Sequence, residues 1–113
     1  MKQYTTESQT AKLIELGFEK PKNRLVKQRF DRSTSSWIVV GEEGNYSIGE
    51  LIEMLPKVID CNGFKHTLYI FVNQDAWDVE YAHFLGELYS TYRTELIDAV
   101  FDMVIILKEE EVI

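Results

Sequence analysis

The residue types with the most reactive chemistry are few. Cys61 is the single thiol, and His66 and His83 are the two imidazoles, in a chain of 113 residues. A Cys/His nucleophile pair or a metal site needs such groups to converge in space. Their spacing does not demand it, since no H-x-x-x-H, C-x-x-C or H-E-x-x-H arrangement occurs. Cys61 stands beside Asn62 and Gly63 and reads as a small residue at the end of an element. Glu95, Asp98 and Asp102 recur at i, i+3 and i+7. Stacked on one helical face, such acids hold a hard cation or divide into an acid and a base. On an otherwise apolar helix they make the solvent-facing stripe. Gly41-Glu42-Glu43-Gly44 lacks the Lys-Ser/Thr of a phosphate loop, and its glutamates repel phosphate. No G-x-S-x-G elbow is present. The expectation is a chain without enzymatic activity, cofactor or metal, with an enzyme built on Cys61, His66 and His83 as the third-ranked reading.

Charge supplies the next lead. The net charge is −7, and it is unevenly spread. Residues 1–32 carry eight Lys/Arg against four Asp/Glu, whereas residues 33–113 carry four against fifteen. Within the first part, Lys20, Lys22, Arg24, Lys27, Arg29 and Arg32 meet only Asp31, a net of +5 over thirteen residues. Side chains in that pattern contact a polyanion backbone in a salt-dependent, sequence-tolerant way. The preferred expectation is that the segment pairs with the acidic remainder or stays solvated. Nucleic acid is the second-ranked partner.

These residues must be positioned by elements that the pattern outlines. Thr6 with Gln9 forms a capping box, Ala11, Leu13, Ile14 and Leu16 follow, and Gly17 supplies a left-handed stop that returns Phe18 onto Leu13. Residues 19–45 read as loop-rich or partly disordered, with a weak strand signal at Leu25, Val26 and Phe30 and a short strand at Trp37–Val40. Ser47 with Glu50 is a second capping box, stapled by Tyr46 and Leu51. Ile48, Leu51, Ile52, Leu55, Val58 and Ile59 recur at helical spacing, and Pro56 kinks or stops that helix near Leu55. His66–Val72 reads as a strand covered on both faces. Trp77–Tyr81 alternates, with Trp77, Val79 and Tyr81 inward and Asp78 and Glu80 outward, so the two form an antiparallel hairpin. Residues 82–91 read as irregular. From about Tyr92 to Glu109 a helix is predicted, too apolar for one small sheet to cover. The expected architecture is one α+β domain over 1–113, a small antiparallel sheet of three to four strands packed with about three helices.

Ser47–Pro56, Glu95–Val104 and Trp77–Tyr81 together resemble small uncharacterised proteins encoded by phages and integrated mobile elements of gut anaerobes. The resemblance covers roughly residues 46–113. It implies a mobile-element origin and a cytoplasmic setting, and brings no functional residue with it. No apolar run approaches the length of a membrane span, and the N-terminus lacks a signal-peptide core. The function expected is therefore that of a small accessory protein binding another protein or itself, through Val100, Met103, Val104 and Leu107 of the terminal helix or through the edge of the hairpin.

Overall fold

The computed structural model describes residues 1–22 and 24–113, with side chains outside positions 24–27 and 39–43. The elements run α1 (Glu7–Glu15), β1 (Arg24–Asp31), β2 (Ser36–Gly44), α2 (Ile48–Met54), β3 (Val58–Cys61), β4 (Phe64–Asn73), β5 (Ala76–His83), β6 (Gly86–Arg93) and α3 (Leu96–Glu109). β1 and β2 form a two-stranded antiparallel sheet, and β3–β4–β5–β6 an antiparallel meander in chain order. The class is α+β, as the pattern predicts.

The helix ends form as their residues dictate. Thr6 Oγ1 accepts from Gln9 N at 3.2 Å while Gln9 Oε1 accepts from Thr6 N at 2.9 Å. At the other end Phe18 N donates to Leu13 O and Gly17 N to Ile14 O, with Gly17 at φ 95°. That is the paired bonding of a Schellman stop, which needs a residue tolerant of positive φ. Ser47 and Glu50 repeat the reciprocal cap at α2. Ser47→Ala is expected to lower the unfolding free energy by about 1 kcal/mol, measured by urea denaturation.

Pro56 stops α2 rather than kinking it. Leu55 already has extended backbone (φ −88°, ψ 126°), as a residue before proline prefers. Val58 and Ile59, at helical spacing in the sequence, belong instead to β3, which turns into β4 through Asn62 (φ 53°) and Gly63 (φ 82°). An Asn-Gly pair with both φ positive is the tight hairpin turn matched to strand twist. Residues 86–93, read as irregular or as the start of the last helix, are β6.

That strand explains the second correction. α3 lies across β5 and β6, and α2 packs on α3. Leu13 of α1 and Tyr46 complete the cluster. Val100, Met103, Val104 and Leu107 are 0% exposed, so the four residues expected to form an interface are interior. A four-stranded sheet on one side and the shorter helices on the other are enough to cover α3.

Within residues 19–45, the strand signals at Leu25, Val26 and Phe30 and at Trp37–Val40 fall on β1 and β2. Among the described contacts, β1 and β2 make their substantial packing only with each other, so the ribbon stands out as an arm. The radius of gyration is 18.1 Å and the principal extents are 68 × 31 × 17 Å, against about 13 Å for a compact chain of this length. The arm's root is fixed: Tyr46 Oη donates to the Glu19 carbonyl, and Lys22 N donates to Glu50 Oε2 at 3.1 Å.

Candidate functional site

The structure brings two of the three residues singled out for reactive chemistry together. His66 and His83 do meet, ring centroids 5.8 Å apart, on the helix-bearing side of the sheet at its far end. His66 Nδ1 lies 3.0 Å from the Phe64 carbonyl, and His83 Nδ1 accepts from Leu85 N at 3.3 Å. Phe64 and Phe84 pack edgewise or tilted against His83 at 5.2 and 4.2 Å. Cys61 sits half-buried opposite Phe64 in the β3–β4 turn. Among the described hydrogen bonds none joins these three residues, and among the described residues no group of three or more His, Cys, Asp or Glu is arranged to hold a metal ion.

The acidic stripe on α3 is consumed within the chain. Asp98 Oδ1 accepts from Gln9 Nε2 at 2.8 Å and Lys2 Nζ at 3.1 Å, and Arg93 Nη1 donates to Asp102 Oδ2 at 2.7 Å. Glu95 Oε2 accepts from Lys2 N at 3.0 Å. Burial pushes the Asp98 carboxyl pKa up, but the Gln9 and Lys2 hydrogen bonds and the Lys2 and Arg93 charges outweigh it and hold it below the ordinary value.

The six cations of the basic segment do not form one stripe. Lys20 and Lys22 flank a shallow cleft of about 190 Å³ at the arm's root, shared with Glu19, Glu50 and Glu53. Lys22 Nζ reaches Glu53 Oε2 at 4.0 Å, both side chains exposed. Arg29 and Arg32 are exposed near the tip, whereas the side chains of Arg24 and Lys27 lie outside the described set. β2 also brings the backbone of Glu43 and Glu42 opposite Leu25 and Val26, so the folded ribbon is less basic than its first strand.

The exposed feature that the sequence did not reveal is the other face of the meander. Among the described residues, the helices pack on one side of it. On the open side, Phe71 of β4, Asp78 of β5 and Tyr92 of β6 stand in one cross-strand row, and Tyr69, Glu80 and Ser90 in the next. Tyr69, Phe71 and Tyr92 are 50%, 40% and 51% exposed. β4 is therefore not covered on both faces. Tyr92 Oη donates to the Asn73 carbonyl at 2.9 Å, so its ring crosses β5. Asp78 Oδ1 is closed off from solvent and has no hydrogen-bond donor among the described residues, a situation costing about 1–3 kcal/mol. Burial, the Asp78 charge, and a hydrogen bond and charge from Glu87 all push the Glu80 pKa up. Half-exposed aromatic rings therefore surround two carboxylates on this face.

The arm's tip is the second exposed apolar feature. Phe30 and Trp37 face each other across the strands, rings 5.5 Å apart, yet remain 46% and 66% exposed. Beyond them Asp31 accepts from Ser33 N and Oγ at 2.9 and 2.7 Å, bonds that hold its pKa down and order the turn.

No protein-family model, curated protein or solved structure matches the chain. Among the described residues, no helix is long and apolar enough to cross a membrane.

Proposed function

We propose that this chain is a small, non-enzymatic, cytoplasmic protein-interaction module that engages a polypeptide across the open face of β3–β6. The observation that carries this reading is the set of half-exposed aromatics, Tyr69, Phe71 and Tyr92, around Asp78 and Glu80 on a sheet face that no described element covers. Aromatic groups fixed on rigid strands lose little entropy on contact and dominate binding energetics when desolvated. Asp78 and Glu80 select for a cation in the partner and disfavour an acidic one. The resemblance of residues 46–113 to small proteins of phages and mobile elements extends the reading to an accessory role in such an element.

The test is a photo-crosslinking amino acid placed at Phe71, compared with one at the exposed Lys12 of α1, in cells expressing the full chain. A discrete polypeptide adduct is expected from position 71 and not from position 12. Tyr69→Ser is expected to reduce it roughly tenfold, the loss of one aromatic contact of intermediate strength. Absence of any discrete polypeptide adduct from position 71 overturns the reading.

A further inference from the structure

The open face and the arm are complementary parts of the same chain. Residues 20–44 hold six Lys/Arg and three Asp/Glu, while the rest of the chain holds six Lys/Arg and sixteen Asp/Glu. The positive part ends in an exposed Phe30–Trp37 pair, and the negative part presents exposed aromatics around carboxylates. From these two patches we infer that the arm of one copy lies across the open sheet face of a second copy, and that reciprocal exchange closes a two-fold dimer. This rests on the open face being a polypeptide-docking surface and specifies its occupant.

The dimensions and placement support exchange between molecules rather than closure within one. β1 has eight residues and β4 has ten, so the ribbon spans about 26 Å and the face about 33 Å at strand rise. The arm is rooted against Tyr46 and α2, in the helix layer. The open face is on the opposite side of the sheet, so the arm cannot lie on its own face without passing around the sheet edge. A second copy presents the face without that constraint. Two identical contacts related by a two-fold axis then satisfy every arm and every face, leaving none free to propagate a filament.

The contact has a definite chemistry. Phe30 and Trp37 project from one side of the ribbon and supply the apolar surface for Tyr69 and Phe71. Arg32, in the loop just beyond the pair, brings a guanidinium whose fork matches a carboxylate to Asp78 and Glu80. Arg29 projects from the other side of the ribbon and adds to the arm's positive field. Asp78 Oδ1, closed off and without a donor in the isolated chain, gains one when the aromatic side chains around it shift to admit the guanidinium.

The experiment uses the full-length chain. Sedimentation equilibrium over a concentration series is expected to show a monomer–dimer equilibrium. Trp37→Ala, altering both contacts at once, is expected to raise the dimer dissociation constant by roughly a thousandfold, about thirtyfold per contact for an aromatic anchor. The double substitution Tyr69→Ser with Phe71→Ser acts on the same contact from the other side and is expected to do at least as much. These positions are solvent-exposed, and circular dichroism verifies that each variant is folded. A photo-crosslinker at position 37, in a mixture of isotopically heavy and light chains, is expected to join heavy to light at a peptide containing residues 69–71. A wild type that stays monomeric, a dimer indifferent to both sets of substitutions, or crosslinks that never join the arm to the face of another copy overturns the inference. So does binding of a single-stranded oligonucleotide by a chain that remains monomeric. If position 71 still captures a different polypeptide in cells, only the dimer is lost; if it captures none, the docking role falls with it.

Discussion

Val104→Asp is expected to leave the chain unfolded at room temperature, not merely to change its state of association. Val104 is 0% exposed in the cluster where α3 meets the sheet and the shorter helices. A carboxylate there has no water and no partner, and an unpaired buried charge costs several kcal/mol even after relaxation. A domain of this size has a total stability of about 5–15 kcal/mol, so that single change removes most or all of it. Leu107→Ala is the graded control, with an expected loss of about 2–5 kcal/mol from transfer and cavity terms. Circular dichroism on heating and urea denaturation check both. A Val104→Asp chain that melts like the wild type while its sedimentation changes would place this side of α3 on the surface and refute the core assignment.

The same helix shows how far the pattern of residues carries. Its apolar content correctly demands heavy covering, and Pro56, the two capping boxes and the alternation of Trp77–Tyr81 correctly mark where elements end and which way they face. What was missing was β6, and with it the area that does the covering. β6 is hard to see because its inward positions are not uniformly apolar. Thr91 points inward, 8% exposed, its hydroxyl donating to the Ala99 carbonyl at 2.8 Å. A break in register between Tyr81 and Ala82 also disrupts the period-two alternation along its partner strand. Without β6 the sheet looks too small for α3, and an external partner is the natural inference. The turn at Asn62 and Gly63 is visible in the sequence only as the end of an element, because helical spacing through Val58 and Ile59 hides the β3–β4 hairpin that it closes.

The candidate site was less legible for a different physical reason. Tyr69 and Phe71 have the same residue types as a buried strand, and the sequence does not say whether a second layer covers them. Among the described residues there are three helices, and all of them pack on the other side. The arm tip is a similar case, since Phe30 and Trp37 are read as strand formers from their types, and only the absence of substantial described packing between the ribbon and the body makes them exposed. The acidic stripe misled in the opposite direction. Glu95, Asp98 and Asp102 have the spacing of a solvated face, but Lys2 and Gln9 reach Glu95 and Asp98 from about ninety residues away, a contact no local window contains.

That long-range contact makes stability depend on acid. Asp98 has only 13% of its side chain exposed and accepts from Gln9 Nε2 and Lys2 Nζ, with Arg93 Nη2 at 4.0 Å. Its folded pKa lies below its ordinary value of 3.8. A depressed carboxylate contributes stability that is fully present above the unfolded pKa and is lost as the pH falls through the folded one. The wild type should therefore keep this contribution through neutral and mildly acidic pH and lose it below about pH 4, where the unfolded carboxyl begins to protonate. Asp98→Ala removes the acceptor at every pH and strands Gln9 and Lys2. The expected cost at neutral pH is about 1–3 kcal/mol, the range for hydrogen bonds to a charged group, set towards the lower end because Lys2 and Arg93 are partly hydrated. Asp98→Asn retains an acceptor for Gln9 while removing the charge, and should fall between the two. Urea denaturation of all three chains at several pH values decides the matter: the gap between wild type and Asp98→Ala should narrow as the pH drops below about 4. A gap that stays constant down to the acid limit would mean that Asp98 contributes through packing, and that its carboxylate charge does not hold α1 and the N-terminal segment against α3.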